Sequence, residues 1–170
     1  MKKGLVQVYT GNGKGKTTAA IGQAIRALGR GYQVCFIQFF KRPVSGEVKI
    51  LKSFPNLKLL HPLPFYPTEK NRNFLKKKIK GVLPGISEII KSESYDLVIL
   101  DEINIALRNE LLRERDILNL IKNKPKSVEL LLTGRGATKG LIKAANLVTE
   151  MKEIKHPLKK GVKAREGIEY

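Results

Sequence analysis

The passage from Leu5 to Leu28 constrains the fold more than any other part of the chain. Leu5–Tyr9 is a short apolar, β-branched run that reads as a strand, and Lys16–Leu28 has helical periodicity closed by Gly29 and Gly31. Between them lies Thr10-Gly11-Asn12-Gly13-Lys14-Gly15-Lys16-Thr17-Thr18. Glycines 11, 13 and 15 allow left-handed turns and bring bare amides forward. A helix that starts directly afterwards adds unpaired N–H groups and the positive end of its dipole. Lys16 supplies a point charge, and Thr17 a hydroxyl able to ligate magnesium. Gly11, Asn12, Gly13, Lys14, Gly15, Lys16, Thr17 and Thr18 are therefore expected to hold the triphosphate of ATP. In the usual spacing, counting back from Gly15-Lys16 puts a glycine where Thr10 stands, so this loop is one residue short.

The rest of the chain repeats the strand-then-helix rhythm. Gln33–Phe39, Leu57–Leu60, Leu97–Leu100, Val128–Leu132 and Leu147–Met151 read as strands. Gly46–Ser53, the basic segment around Lys70–Ile86, Arg113–Ile121 and Lys139–Ala145 read as helical. Such alternation implies parallel strands joined by crossover helices. The predicted fold class is α/β, a doubly wound P-loop NTPase (RecA-like) three-layer fold with a mostly parallel central sheet. Residues 1–170 are expected to form a single domain, of ordinary domain length. Ligands of such sheets sit at the carboxyl ends of the strands.

A net charge of +18 favours an anionic partner, either nucleotide, polyphosphate or nucleic acid. The lysines form no single block, so a solvated surface explains most of the excess. The densest group, Lys70, Arg72, Lys76, Lys77, Lys78 and Lys80, is interleaved with Phe74, Leu75, Ile79, Val82, Leu83 and Ile86. That spacing predicts an amphipathic helix with a basic outer face, kinked or ended at Pro84. No apolar run reaches membrane-spanning length and no signal-peptide core is present, so a cytoplasmic location and no membrane partner are expected. Cys35 is a single cysteine, which excludes an internal disulfide and a thiolate metal cage.

A second signal is Leu97-Val98-Ile99-Leu100-Asp101-Glu102, an apolar strand ending in two carboxylates. Asp101 or Glu102 is expected to hold Mg²⁺ (or Mn²⁺) opposite Thr17, provided this strand ends near the loop. Arg135, between glycines after a strand, is a candidate phosphate contact. Arg26 is either a nucleotide contact or a surface ion-pair partner. His156 is read as C-terminal packing or a ligand contact, His61 as a loop residue, and Cys35 as a small core side chain.

The opening Gly4–Ala20 closely resembles that of the corrinoid adenosyltransferases of the bacterial cobalamin pathway. So do Arg26–Gly31, Ile37–Lys41, Gly46-Glu47, Ile99–Ile103, Leu132–Gly136, Leu147–Met151, Lys155–Pro157, Gly161–Ala164 and Gly167–Tyr170. The resemblance implies transfer of the 5′-deoxyadenosyl group of ATP to the cobalt of cob(I)alamin or a related corrinoid, with triphosphate as leaving group. Lys16, Thr17 and Glu102 would then be the catalytic set, and Phe65 and Tyr66 would face the corrinoid. Pro67 stands where the family has Trp, and Tyr66 could substitute. The family's extra N-terminal segment, which helps cover the corrinoid, has no counterpart before the first strand, so that cover is expected to be missing or supplied otherwise. A homodimer and a flavoprotein reductant are further implications; nucleic acid is not expected as a partner.

Two rival functions remain open at this level, a nucleic-acid-dependent P-loop ATPase and a small-molecule kinase. The short loop and the Thr133–Gly136 and Lys155-His156 stretches favour the adenosyltransferase, and no arginine-rich lid segment of a kinase is evident.

Overall fold

A computed structural model describes residues 3–169. It contains six strands, β1 (Val6–Thr10), β2 (Val34–Phe39), β3 (Leu57–Leu63), β4 (Leu97–Asp101), β5 (Glu129–Thr133) and β6 (Leu147–Glu150). The helices are α1 (Lys16–Leu28), α2 (Gly46–Leu51), α3 (Arg72–Lys91), α4 (Ile103–Arg108), α5 (Glu114–Lys122) and α6 (Lys139–Ala144). The strands form one sheet in the order β3-β2-β4-β5-β1-β6, and every neighbouring pair is parallel.

The three layers follow from the pleat. Along β2, Cys35, Ile37 and Phe39 pack on one face with Leu75, Ile79 and Ile90 of α3 and Ile117 of α5. Val34 and Phe36 pack on the other with Ala20, Ala24, Ala27 and Leu28 of α1. Central strands buried on both faces need no polar alternation, which is why β2, β4 and β5 read as continuous apolar runs. The alanine stripe of α1 lets that helix lie close on the sheet, and this positions the loop at its amino end.

Two expectations are corrected. Pro84 does not end the basic helix: α3 runs from Arg72 to Lys91 through it. Pro84 lies on the exposed side, while Leu75 and Ile79 before it and Ile86 and Ile90 after it anchor both halves on the sheet. His61 is not a loop residue but part of β3, with Pro62 beside it. The β2–β3 register shifts there, between Ile37 and Phe39, and β3 is an edge strand, where a proline forfeits no inner ladder bond. β5 lies between β4 and β1 in the sheet. The end of β4 meets the phosphate loop through the start of α1, where Thr17 bonds Asp101 directly.

Candidate nucleotide site

The loop after β1 is shaped by its neighbours as much as by any ligand. Gly11 and Gly15 adopt φ of +96° and +114°, in the left-handed region. A Cβ on Gly11 would overlap the Met151 carbonyl, and one on Gly13 would come within 2.8 Å of the Met151 and Lys152 carbonyl oxygens. Two of the glycines are thus required by the chain leaving β6, which also accepts a hydrogen bond from Gly13 N–H to Met151 O at 2.7 Å. Gly11→Ala is expected to lower the melting temperature by several degrees and weaken ATP binding together. An unchanged melting curve, measured by circular dichroism, would contradict this packing.

Lys16 opens α1 and is only 6% exposed. Its ammonium donates to the carbonyl oxygens of Gly11 (2.8 Å) and Gly13 (2.7 Å), so it arches over the loop. Burial pulls its pKa below the ordinary lysine value, with the Glu102 carboxylate opposing that shift. Thr17 Oγ1 donates toward Asp101, 3.0 Å from Oδ1 and 3.2 Å from Oδ2.

Asp101 is fully buried at the end of β4. It reaches Thr17 directly, and β5 adds a second donor beside it: Thr133 Oγ1 donates to Asp101 Oδ1 at 2.7 Å. Gln38 Nε2, from the end of β2, donates to Oδ2 at 3.2 Å. Burial raises the Asp101 pKa, and these three donors work against that rise. The same Thr133 hydroxyl accepts from Glu102 N–H at 2.8 Å.

Glu102 turns the chain with φ of +64°, a left-handed conformation that costs a non-glycine residue energy. Its Oε2 is buried without a hydrogen-bond partner. Burial first, and the Asp101 carboxylate second, push its pKa up to about 7. A carboxylate with an orphaned oxygen, on a residue that lines the same cleft as Thr17 and adjoins Asp101, is the donor chemistry that a hard divalent cation accepts. The residues fit Mg²⁺ together with phosphate oxygens. Among the described residues no cluster of three or more His, Cys, Asp or Glu could hold a metal unaided.

The raised value has a consequence for stability. Between 4.5, the ordinary glutamate value, and about 7, the folded protein keeps a proton that the unfolded chain has released. The associated stability is present at low pH and is lost as pH rises through that window. Glu102→Gln is expected to remove this loss, adding on the order of 1–3 kcal/mol at about pH 8 and nothing near pH 4. Melting curves of both proteins without nucleotide, taken across that range, check it.

These groups open into a cleft of about 700 Å³ lined by Gly13–Thr18, Lys41, Glu47, Glu102, Arg135, His156 and Gly167–Glu169. Lys14, Lys16, Lys41 and Arg135 bring four cations to it. Such a concave, cation-rich site over exposed loop amides is suited to a polyphosphate.

Residues 2–170 match the family described as ATP:corrinoid adenosyltransferase BtuR/CobO/CobP. The chain belongs to this family. A corrinoid adenosyltransferase from Pseudomonas aeruginosa is 36% identical over 172 residues, covering 99% of this chain and 85% of that protein. The corrinoid adenosyltransferase of Escherichia coli K12 is 32% identical, covering 99% and 87%. Corrinoid adenosyltransferase CobA of Salmonella typhimurium is 31% identical with the same coverage, 99% and 87%. Among solved structures, the flagellar accessory protein FlaH of Methanocaldococcus jannaschii superposes with a TM-score of 0.59 at 17% identity, over 88% of this chain and 72% of that one. That likeness carries the P-loop α/β fold and nothing about activity.

In this corrinoid adenosyltransferase family member, the expected site residues divide by position. Lys14, Gly15, Lys16, Thr17, Thr18, Gly13, Glu102 and Arg135 surround one cleft, with Asp101 directly behind it. Asn12 faces the other side of the loop, in a basin shared with Arg108, Arg135 and Lys152. Arg26 is corrected: ten residues of helix carry it about 15 Å from Lys16. It lines a separate hollow with Arg30, Tyr32, Leu97 and Glu129, at the amino ends of β4 and β5, and bonds to Gln23 Oε1 at 3.4 Å. Phe65 and Tyr66 are exposed, 49% and 55%, on the segment leaving β3 and outside the cleft lining. His156 lines the cleft, which favours the ligand-contact reading over packing. Its Nδ1 accepts from Leu158 N–H at 3.2 Å.

Sequence reasoning passed over Gln38 and Thr133, which hold Asp101, and the Lys41–Glu47 ion pair at 2.8 Å across the cleft wall. The signal was present for Thr133, Lys41 and Glu47 in the family-like stretches. Gln38 lies in such a stretch too, and it is also a lone amide in an otherwise apolar buried strand.

Proposed function

We propose that this protein transfers the 5′-deoxyadenosyl group of ATP to the cobalt(I) of a reduced corrinoid, releasing triphosphate, in the making or salvage of adenosylcobalamin. The observation that carries this is the family match over residues 2–170, joined to a cation-lined cleft on the shortened loop. Attack falls on the ribose 5′ carbon. A cobalt–carbon bond forms, the carbon–oxygen bond breaks, and its electron pair leaves on the α-phosphate oxygen.

The nucleophile belongs to the corrinoid, so the chain needs no activated Ser or Cys. Its own work is to hold the triphosphate and receive the growing negative charge. Lys16 exchanges the Gly11 and Gly13 carbonyls for phosphate oxygens, while Lys41 and Arg135 balance charge from the cleft walls. Thr17, Asp101 and Glu102 would hold Mg²⁺, which neutralises part of the triphosphate charge when bound. His156 and the chain at Gly167–Glu169 bound the nucleotide on one side. Phe65 and Tyr66, aromatic and exposed, are offered as corrinoid contacts. We further propose a cytoplasmic homodimer served by a flavoprotein reductant; among the described residues no helix is long and apolar enough to cross a membrane.

The test is to incubate the protein with ATP, Mg²⁺ and chemically reduced cobalamin, following the visible spectrum. An ATP-dependent, light-sensitive cobalt–carbon product supports the proposal. Phosphate release that DNA or RNA stimulates, with no adenosylated corrinoid, would replace it with the ATPase reading.

A further inference from the structure

Lys14, in the middle of the phosphate loop, is tied to the far end of the chain. Its ammonium donates to Ile168 O at 2.9 Å and lies 3.4 Å from Glu169 Oε1. Glu169 is itself clamped by Arg165: the backbone N–H reaches Oε2 at 2.8 Å, Nε reaches Oε2 at 3.2 Å, and Nη2 reaches Oε1 at 3.1 Å. Left-handed turns at Gly161 (φ +77°) and Gly167 (φ +72°) lie along the segment that meets the loop. Gly167, Ile168 and Glu169 thereby form a wall of the same cleft. The Arg165 clamp holds the Glu169 carboxyl down to about 2, so it stays ionised at any working pH.

We propose that Glu169 is a product-release residue: its carboxylate competes with the triphosphate for Lys14 and so drives the spent triphosphate off the loop. This rests on the reading that the loop holds the leaving triphosphate. A loop that grips a leaving group well also tends to keep it, so release can limit turnover. Cleavage of the carbon–oxygen bond leaves an extra negative charge on the triphosphate compared with the same group esterified in ATP. A fixed anion at the cleft wall therefore penalises product more than substrate. Lys14 alternates between two partners, Glu169 with Ile168 O in one state and phosphate oxygens in the other.

The test uses the full chain and measures dissociation constants for inorganic tripolyphosphate and for ATP, by calorimetry at low salt. Glu169→Gln keeps the size of the side chain and a hydrogen bond to Arg165. It is expected to bind tripolyphosphate roughly five- to tenfold more tightly and ATP only about twofold more tightly. The gain should shrink below about twofold in a Lys14→Met background and fade at high salt. Tripolyphosphate affinity equal to wild type, or equal losses for both ligands, would overturn the role of Glu169 and leave the proposed function standing. Wild-type protein that binds neither tripolyphosphate nor ATP would overturn both.

Discussion

Lys16→Ala is expected to lower adenosyl transfer by on the order of a thousandfold or more while leaving the fold intact. The two halves of this expectation have separate causes. Among the described residues the ammonium hydrogen-bonds to the Gly11 and Gly13 carbonyls and takes no part in the two apolar clusters. Its burial works against its charge, as its lowered pKa shows, so removing it relieves a cost as it loses two hydrogen bonds. The folded state should therefore melt within a few degrees of wild type. Turnover loses a buried cation placed in the loop. Activity assays and thermal melts on the same preparation check both halves, and near-normal turnover in a well-folded variant would show that the loop is not the triphosphate cradle.

Asp101→Asn should separate metal binding from architecture. The side chain keeps its volume, and an amide oxygen can still accept from Thr133 or Thr17, while the Gln38 amide can rotate to meet the new NH₂ group. Full burial disfavours the charged form of Asp101, so the neutral isostere should match or exceed wild type in stability. Turnover should fall about a hundredfold or more, and the concentration of Mg²⁺ needed for half-maximal rate should rise. Asp101→Ala, by contrast, leaves three donors without their acceptor in a buried pocket and should unfold at a lower temperature. An Asp101→Asn protein with unchanged Mg²⁺ dependence would remove this carboxylate from the metal site.

The β1–loop–α1 unit was legible in the sequence almost to the residue, because glycine chemistry, helix start and strand pattern coincide there. The buried strands β2, β4 and β5 were equally plain, since a parallel sheet covered on both faces leaves an unbroken apolar signature. Less legible were features that depend on what lies beside an element. Pro84 reads as a helix breaker locally, and only the sheet beneath α3 lets the helix continue. α4 follows Glu102 with no capping residue, and its left-handed entry has no sequence signature. Within the site, the loop and the Asp101-Glu102 pair were readable as types. That Thr17, Thr133 and Gln38 converge on Asp101 depends on strand order, which the linear sequence does not carry. Arg26 illustrates the converse: its neighbours in sequence belong to a family-like stretch, but the rise of α1 carries it to the opposite end of the sheet. The contacts of Lys14 with Ile168 and Glu169 join positions 154 and 155 residues apart, beyond the reach of any periodicity.

Under the proposed function the loop holds triphosphate as a leaving group and not as a phosphoryl donor. Phosphorus NMR of a reaction containing the protein, ATP, Mg²⁺ and excess reduced cobalamin tests it most directly. Intact inorganic triphosphate, formed in step with adenosylated corrinoid, is the expected result. Orthophosphate with ADP as the products, or triphosphate absent while ATP is consumed, would contradict it.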